Sequence, residues 1–197
     1  WQMHRNSDSN PDVLECVLMA LEKWLLEGAK RFPEELVNIF CLFLLKNSNN
    51  VAITATVLSV VEAYPEKLFG ISCILIRTKE ICYYDTCRGA AEIRAGLMSS
   101  FLPRDKVFEE ERVTSNNFEF RKITFEQVIM DYQIKRGDLS REEFERRIST
   151  LYSIIDQVTE DIENWEPIYQ YAYYQMDLRR YTINQEQEPV EKNGRKY

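Results

Sequence analysis

The chain has 197 residues, a formal charge of −7, and 45% hydrophobic and 12% aromatic residues. This is enough apolar material for a core, which excludes a disordered chain, and the length fits one domain or a piece of a larger protein. The acidic balance disfavours nucleic acid, which needs clustered Lys and Arg, although a local basic patch stays open. With only six Gly and six Pro, long helices are favoured over a turn-rich β fold.

The first helix is expected to open at Asn10-Pro11, with Asn10 as cap and Pro11 as first helical residue. Val13, Val17, Leu21 and Trp24 share one face, and Leu14, Leu18 and Leu25 widen it into a broad apolar stripe. Gly28 and Phe32-Pro33 end it. The run Leu36 to Leu45 is apolar nearly all round a helix, the pattern of an element with packed neighbours on several faces. It is much shorter than the ~18 residues a membrane span needs. Asn47-Ser48-Asn49-Asn50 is a turn, and Asn50 caps a third helix that is apolar on two faces.

Phe32-Pro33-Glu34-Glu35-Leu36 followed by Cys41 is echoed by Tyr64-Pro65-Glu66-Lys67-Leu68 followed by Cys73, at a constant offset of 32 residues. A period of that size lies in the range of helix-turn-helix repeats, whose units bury their apolar faces by stacking. Coincidence is the competing reading, because aromatic-Pro-Glu is an ordinary helix start. A fourth helix is expected from Pro65 to about Arg77 and a fifth from Thr78, ending at Arg88-Gly89. From Ala90 to Lys122 the periodicity breaks down, and short helices within this segment are expected.

Regularity returns at Thr124, with Phe125, Val128, Ile129 and Tyr132 marking a helix that ends near Gly137-Asp138. Ser140-Arg141-Glu142-Glu143 is a capping box for a long helix carrying Phe144, Ile148, Leu151, Ile155, Val158 and Ile162. Its outer face of Arg141, Glu145, Arg146, Gln157 and Glu160 reads as solvated surface. Trp165 to Met176 is aromatic-rich, and the polar tail from Gln185 onward is expected to be mobile.

Signals for chemistry are few. The one histidine, His4, lies in a polar end segment, so a His-dependent triad would have to use it. Cys16, Cys41, Cys73, Cys82 and Cys87 are odd in number and show no CxxC or zinc spacing, which fits reduced core thiols of a cytosolic protein. The N-terminal stretch is too polar for a signal peptide. No GxxxxGK[ST] loop is present. Carboxylates such as Glu109, Glu110, Glu111, Glu142, Glu143, Asp156, Glu160 and Asp161 read first as charged helix surface, and as acid–base pairs only if a pocket gathers them. The tyrosines from Tyr169 to Tyr174 suit either a recognition surface or the core of a terminal helix.

Leu21-Glu22-Lys23-Trp24-Leu25-Leu26, Asn47-Ser48-Asn49-Asn50-Val51-Ala52-Ile53-Thr54 with Tyr64-Pro65, Glu111-Arg112, Ser115-Asn116, the Phe125–Gln133 stretch and Met176-Asp177-Leu178-Arg179-Arg180-Tyr181 together cover most of the chain. In these segments the chain resembles the helical-repeat region of large bacterial STAND-type NTPases, including those of antiphage defence. The resemblance implies a cytosolic, multidomain signalling ATPase whose effector and nucleotide-binding core lie elsewhere. This region would then be a non-catalytic sensor or scaffold with no cofactor of its own. Its partners would be a protein, such as a phage component, and other domains of the same polypeptide.

The expected fold is all-α: stacked, solenoid-like helical hairpins over 1–92, an irregular connection over 93–123, C-terminal helices over 124–184 and a polar tail over 185–197. The chain, which begins at Trp1, is read as an excerpt of a longer polypeptide. Partner contacts are expected on the irregular segment, at Arg112, Phe118, Phe120 and Arg121, and on the aromatic and arginine-rich one, at Tyr169, Tyr173, Arg179 and Arg180. No membrane contact is expected, and oligomerisation stays open. A generic helical adaptor without an ATPase partner domain, and a small helical enzyme using the carboxylates, are the competing readings.

Overall fold

A computed structural model describes residues 12–98 and 118–181, with the short pairs 191–192 and 195–196. Among these residues are eight α-helices: α1 (Asp12–Arg31), α2 (Glu34–Asn47), α3 (Val51–Ala63), α4 (Phe69–Leu75), α5 (Lys79–Met98), α6 (Phe125–Ile134), α7 (Arg141–Val158) and α8 (Pro167–Met176). Single 3₁₀ turns at Pro65–Leu68, Glu119–Lys122, Ile162–Asn164 and Leu178–Arg180 join them. The all-α expectation holds. The described strands β1 (Glu191–Lys192) and β2 (Arg195–Lys196) form a two-residue antiparallel ladder within the polar tail.

Local chemistry accounts for the helix starts. Asn50 accepts the Ala52 amide at 2.9 Å, Thr124 the Gln127 amide at 3.4 Å and Ser140 the Glu143 amide at 3.1 Å, each satisfying an amide that the helix itself leaves unpaired. Asn10 and Pro11 lie outside the described residues. At the other end of α1, Lys67 Nζ donates to the carbonyls of Ala29 (2.7 Å) and Phe32 (3.3 Å), placing a cation on the negative pole of the helix. Asn38 of α2 donates to Lys67 O at 2.8 Å, so the two echoed Pro-Glu segments are tied to each other.

The centre of the fold is α3. Nine of its residues are buried, among them Val57, Val60 and Val61 at zero exposure. It packs on α1, α2, α4, α6 and the 119–122 turn. The two apolar faces read from the sequence are both covered, except at Val51 in the first turn, which is 48% exposed. Packing converges on this helix, whereas in a one-dimensional stack each unit touches only its neighbours. Farther along, α6 and α5 pack against α8, with Phe125, Ile129, Leu151, Ile155, Tyr173 and Met176 closing that half of the core.

Three expectations are corrected. The buried face of α1 is the side of Leu18, Leu25 and Ala29, while Val13, Val17 and Trp24 are exposed at 74%, 60% and 51%. In α2 only Val37 and Cys41 are fully buried, and Ile39, Leu42 and Phe43 face outward. Finally, α5 does not end at Arg88-Gly89 but continues to Met98, across the expected boundary at residue 93. Gly89 faces Thr124, where a Cβ would meet Cγ2 at 3.7 Å, so it marks an approach between elements and not a helix end.

Candidate interaction surface

Two sets of residues stand out: charges buried in the interior and apolar side chains left outside. Arg88 of α5, 2% exposed, donates from Nε to Asp85 Oδ1 (2.7 Å) and from Nη2 to Glu62 Oε1 (2.8 Å) and Ile123 O (2.8 Å). Its Nη1 reaches Arg121 O at 3.3 Å. The second oxygen of Asp85 accepts the Phe125 amide at 2.8 Å, so this carboxylate sits at the positive end of α6. Nearby, Ser59 donates to Glu22, whose other oxygen is 3.5 Å from Arg121 Nη2. These contacts fasten the 118–125 stretch to α1, α3 and α5. Buried ions are tolerated where each is paired and hydrogen-bonded. Beside them, burial first and then the Asp85 charge raise the carboxyl pKa of Glu126 above its ordinary value.

The eight residues expected to meet a partner have different fates. Arg112 lies outside the described residues. Phe118 is 45% exposed and stacks on Phe120, with ring centroids 5.6 Å apart. Arg121 is engaged with Glu22, its side chain 12% exposed. Tyr169 is half-buried, edge-on to Tyr83, with Lys79 Nζ 5.5 Å from its ring centre. Tyr173 is corrected outright: it is 1% exposed, its hydroxyl donates to Ile76 O, and burial drives its pKa up. It is a core residue.

Arg179 and Arg180 belong to a joint at the end of α8. Arg179 grips Asp156 with both Nη atoms (2.6 and 3.1 Å), bonds to Asp177 through Nε (2.9 Å), and lies 4.2 Å from the Tyr152 ring centre. Arg180 sits at the same distance over Tyr174. Gln133 of α6 donates to Met176 O (2.6 Å) and accepts from Leu178 N (3.0 Å), bracketing Asp177 from both sides. The structure brings Arg179 and Arg180 together with Asp177, and Phe118 with Phe120. It does not bring these two groups into a single patch.

Among the described residues, no reactive centre takes shape from the carboxylates considered in the sequence. Glu109, Glu110 and Glu111 lie outside the described residues, Glu142, Asp156, Glu160 and Asp161 are exposed, and the half-buried Glu143 is paired with Arg146 and Arg147. The groove at Glu145, Tyr152, Asp156 and Gln157 is lined by α7 alone, so it is an open helix surface and not a pocket. Among the described residues no three His, Cys, Asp or Glu side chains group as a metal site.

What the sequence reading missed is the outer surface of α1 and α2. Val13, Val17, Ala20 and Trp24 follow one another at spacings of four, three and four along α1, and all four are exposed. That spacing is the seam of a helix that packs against another helix. Ile39, Leu42 and Phe43 form a second strip on α2, and Trp24 joins the two by meeting Phe40 edge-on at 5.2 Å. The signal was present in the all-round apolarity of α2, but periodicity could not say which side lay uncovered.

No family model matches the chain, and no curated protein matches it. Among the described residues no helix is long and apolar enough to cross a membrane.

Proposed function

We propose that this chain is a non-catalytic helical contact module. In its specific form, it is the sensor or scaffold region of a bacterial antiviral STAND-type NTPase that recognises a phage protein or relays activation to an effector. The observation that carries the contact reading is the apolar surface over α1 and α2. Its exposed side chains include Val17, Trp24, Ile39 and Phe43, each more than half exposed. Contiguous apolar patches beyond a few hundred Å² mark interaction sites. The specific form rests on the sequence resemblance alone. The proposed compartment is the cytoplasm, supported by five free cysteines.

The test uses the polypeptide that carries this chain, expressed in bacteria challenged with a panel of phages. Ile39→Glu with Phe43→Glu should abolish protection while protein level and helicity stay at wild type. Unchanged protection by the double variant would refute the contact reading. If the wild type gives no protection against any phage, the antiviral form fails. The generic adaptor then remains, provided a co-purifying protein is lost in the same variant.

A further inference from the structure

We infer that the partner seated on the α1 seam is a second copy of this chain, docked antiparallel about a two-fold axis. This rests on the contact reading of the α1–α2 surface and names its occupant. The first argument is size. Val13, Leu14, Val17, Trp24, Ile39, Leu42 and Phe43 range from 42% to 74% exposed. At ordinary side-chain areas this amounts to on the order of 800 Å², close to what one partner contributes to a specific interface.

The second argument is shape. The seam runs from small residues at Val13, Val17 and Ala20 to one large residue, Trp24. A two-fold axis passing between Leu18 and Met19 sets Trp24 of each copy against Val13 of the other, and Val17 against Ala20. The one large residue then faces a small one at each end, as facing core layers require. A parallel pair would instead oppose Trp24 with Trp24 and Ala20 with Ala20, which is overfilled at one end and hollow at the other. An isologous contact of this kind is also the commonest symmetry of soluble oligomers.

The third argument is charge. None of the four seam residues is charged. In the antiparallel register the flank that carries Lys23 meets the flank that carries Cys16 of the other copy, and Glu27 falls past the end of the seam. The pairing therefore opposes no like charges, despite the formal charge of −7 on each chain.

Sedimentation velocity of the chain across the micromolar range tests this. The wild type should move from 23.4 kDa to twice that mass with rising concentration. Val17→Glu and Trp24→Glu should each weaken association on the order of thirtyfold or more, as a charge at the centre of an interface does. Met19→Glu, on the opposite flank of α1, should leave it unchanged. Far-UV circular dichroism confirms that each variant is folded. Cys16 is exposed beside the seam, so in a Cys87→Ser background a short bismaleimide should join two copies that keep Val17 and fail with Val17→Glu.

A chain that stays at 23.4 kDa throughout, or a dimer indifferent to Val17→Glu, overturns the inference. If that monomer still loses its protein contacts on Phe43→Glu, only self-association has failed and the contact reading stands.

Discussion

Arg88 and Arg179 each bind two carboxylates at hydrogen-bonding distance, yet they sit in opposite surroundings. The Arg88 side chain is 2% exposed and its partners Glu62 and Asp85 are at most 1% exposed, while Arg179 is 36% exposed and joins the exposed Asp156 (62%) to the buried Asp177 (6%). Coulomb attraction grows as the local dielectric falls, and so does the penalty for leaving one charge alone. Similar contact lists therefore carry different consequences. The interior cluster is a fixed joint whose loss strands ions. The outer one is an adjustable clasp on its Asp156 side, where water can replace the guanidinium, while the buried Asp177 also holds Arg180 and the Arg179 amide.

The sharpest way to break this contrast is Arg88→Ala. It leaves Glu62 and Asp85 buried without their cation, and chemical denaturation should show a loss of about 3–5 kcal/mol. An unchanged denaturation midpoint would mean that the interior pairing has no special weight. Between the extremes lies a neutral buried bond: Tyr173→Phe removes the donor to Ile76 O and should lose about 1 kcal/mol by the same measurement. Arg179→Ala should lose only about 1 kcal/mol, because Asp156 is exposed and the buried Asp177 keeps Arg180 and the residue-179 amide, and the Asp156 share of the loss should shrink further in high salt.

The smallest effects appear in the pH dependence, where the two regions have opposite signs. Arg179 lowers the Asp156 carboxyl pKa, first through its hydrogen bonds, so the stabilisation is present above the ordinary carboxylate value. It is lost as pH falls through the lowered folded value. Burial raises that of Glu126, so this group favours the folded state increasingly as pH falls from its raised value towards 4.5. Glu126→Gln should remove that rise and leave stability near neutral pH unchanged or slightly higher. Thermal melts at several pH values check both, and a Glu126→Gln profile superimposable on wild type would reject the assignment.

The fold was legible wherever a local rule decides a local event. Asn50, Thr124 and Ser140 mark helix starts because an unpaired amide needs an acceptor, and the structure supplies each bond. The core of α6 was legible because Phe125, Val128, Ile129 and Tyr132 leave only one face to bury. The candidate site was less so. In α1 the apolar arc spans both Val13–Val17 and Leu18–Leu25, and periodicity alone cannot choose between them. Arg88-Gly89 imitates a helix end, although the arginine is drawn inward by carboxylates on two helices, a fact of tertiary contact. The one hint was Glu62, a charge embedded in an otherwise apolar helix, which must find a buried partner. Tyr173 and Tyr169 look alike in sequence and differ only in what packs above them.

Gln133 also has a mechanical consequence. Because its side chain grips the backbone on both sides of Asp177, the carboxyl end of α8 is riveted to α6 and cannot unravel alone. A pull applied at Tyr181 is therefore delivered to α6, and through it to α3. The end of the described helical region acts as a handle on its centre.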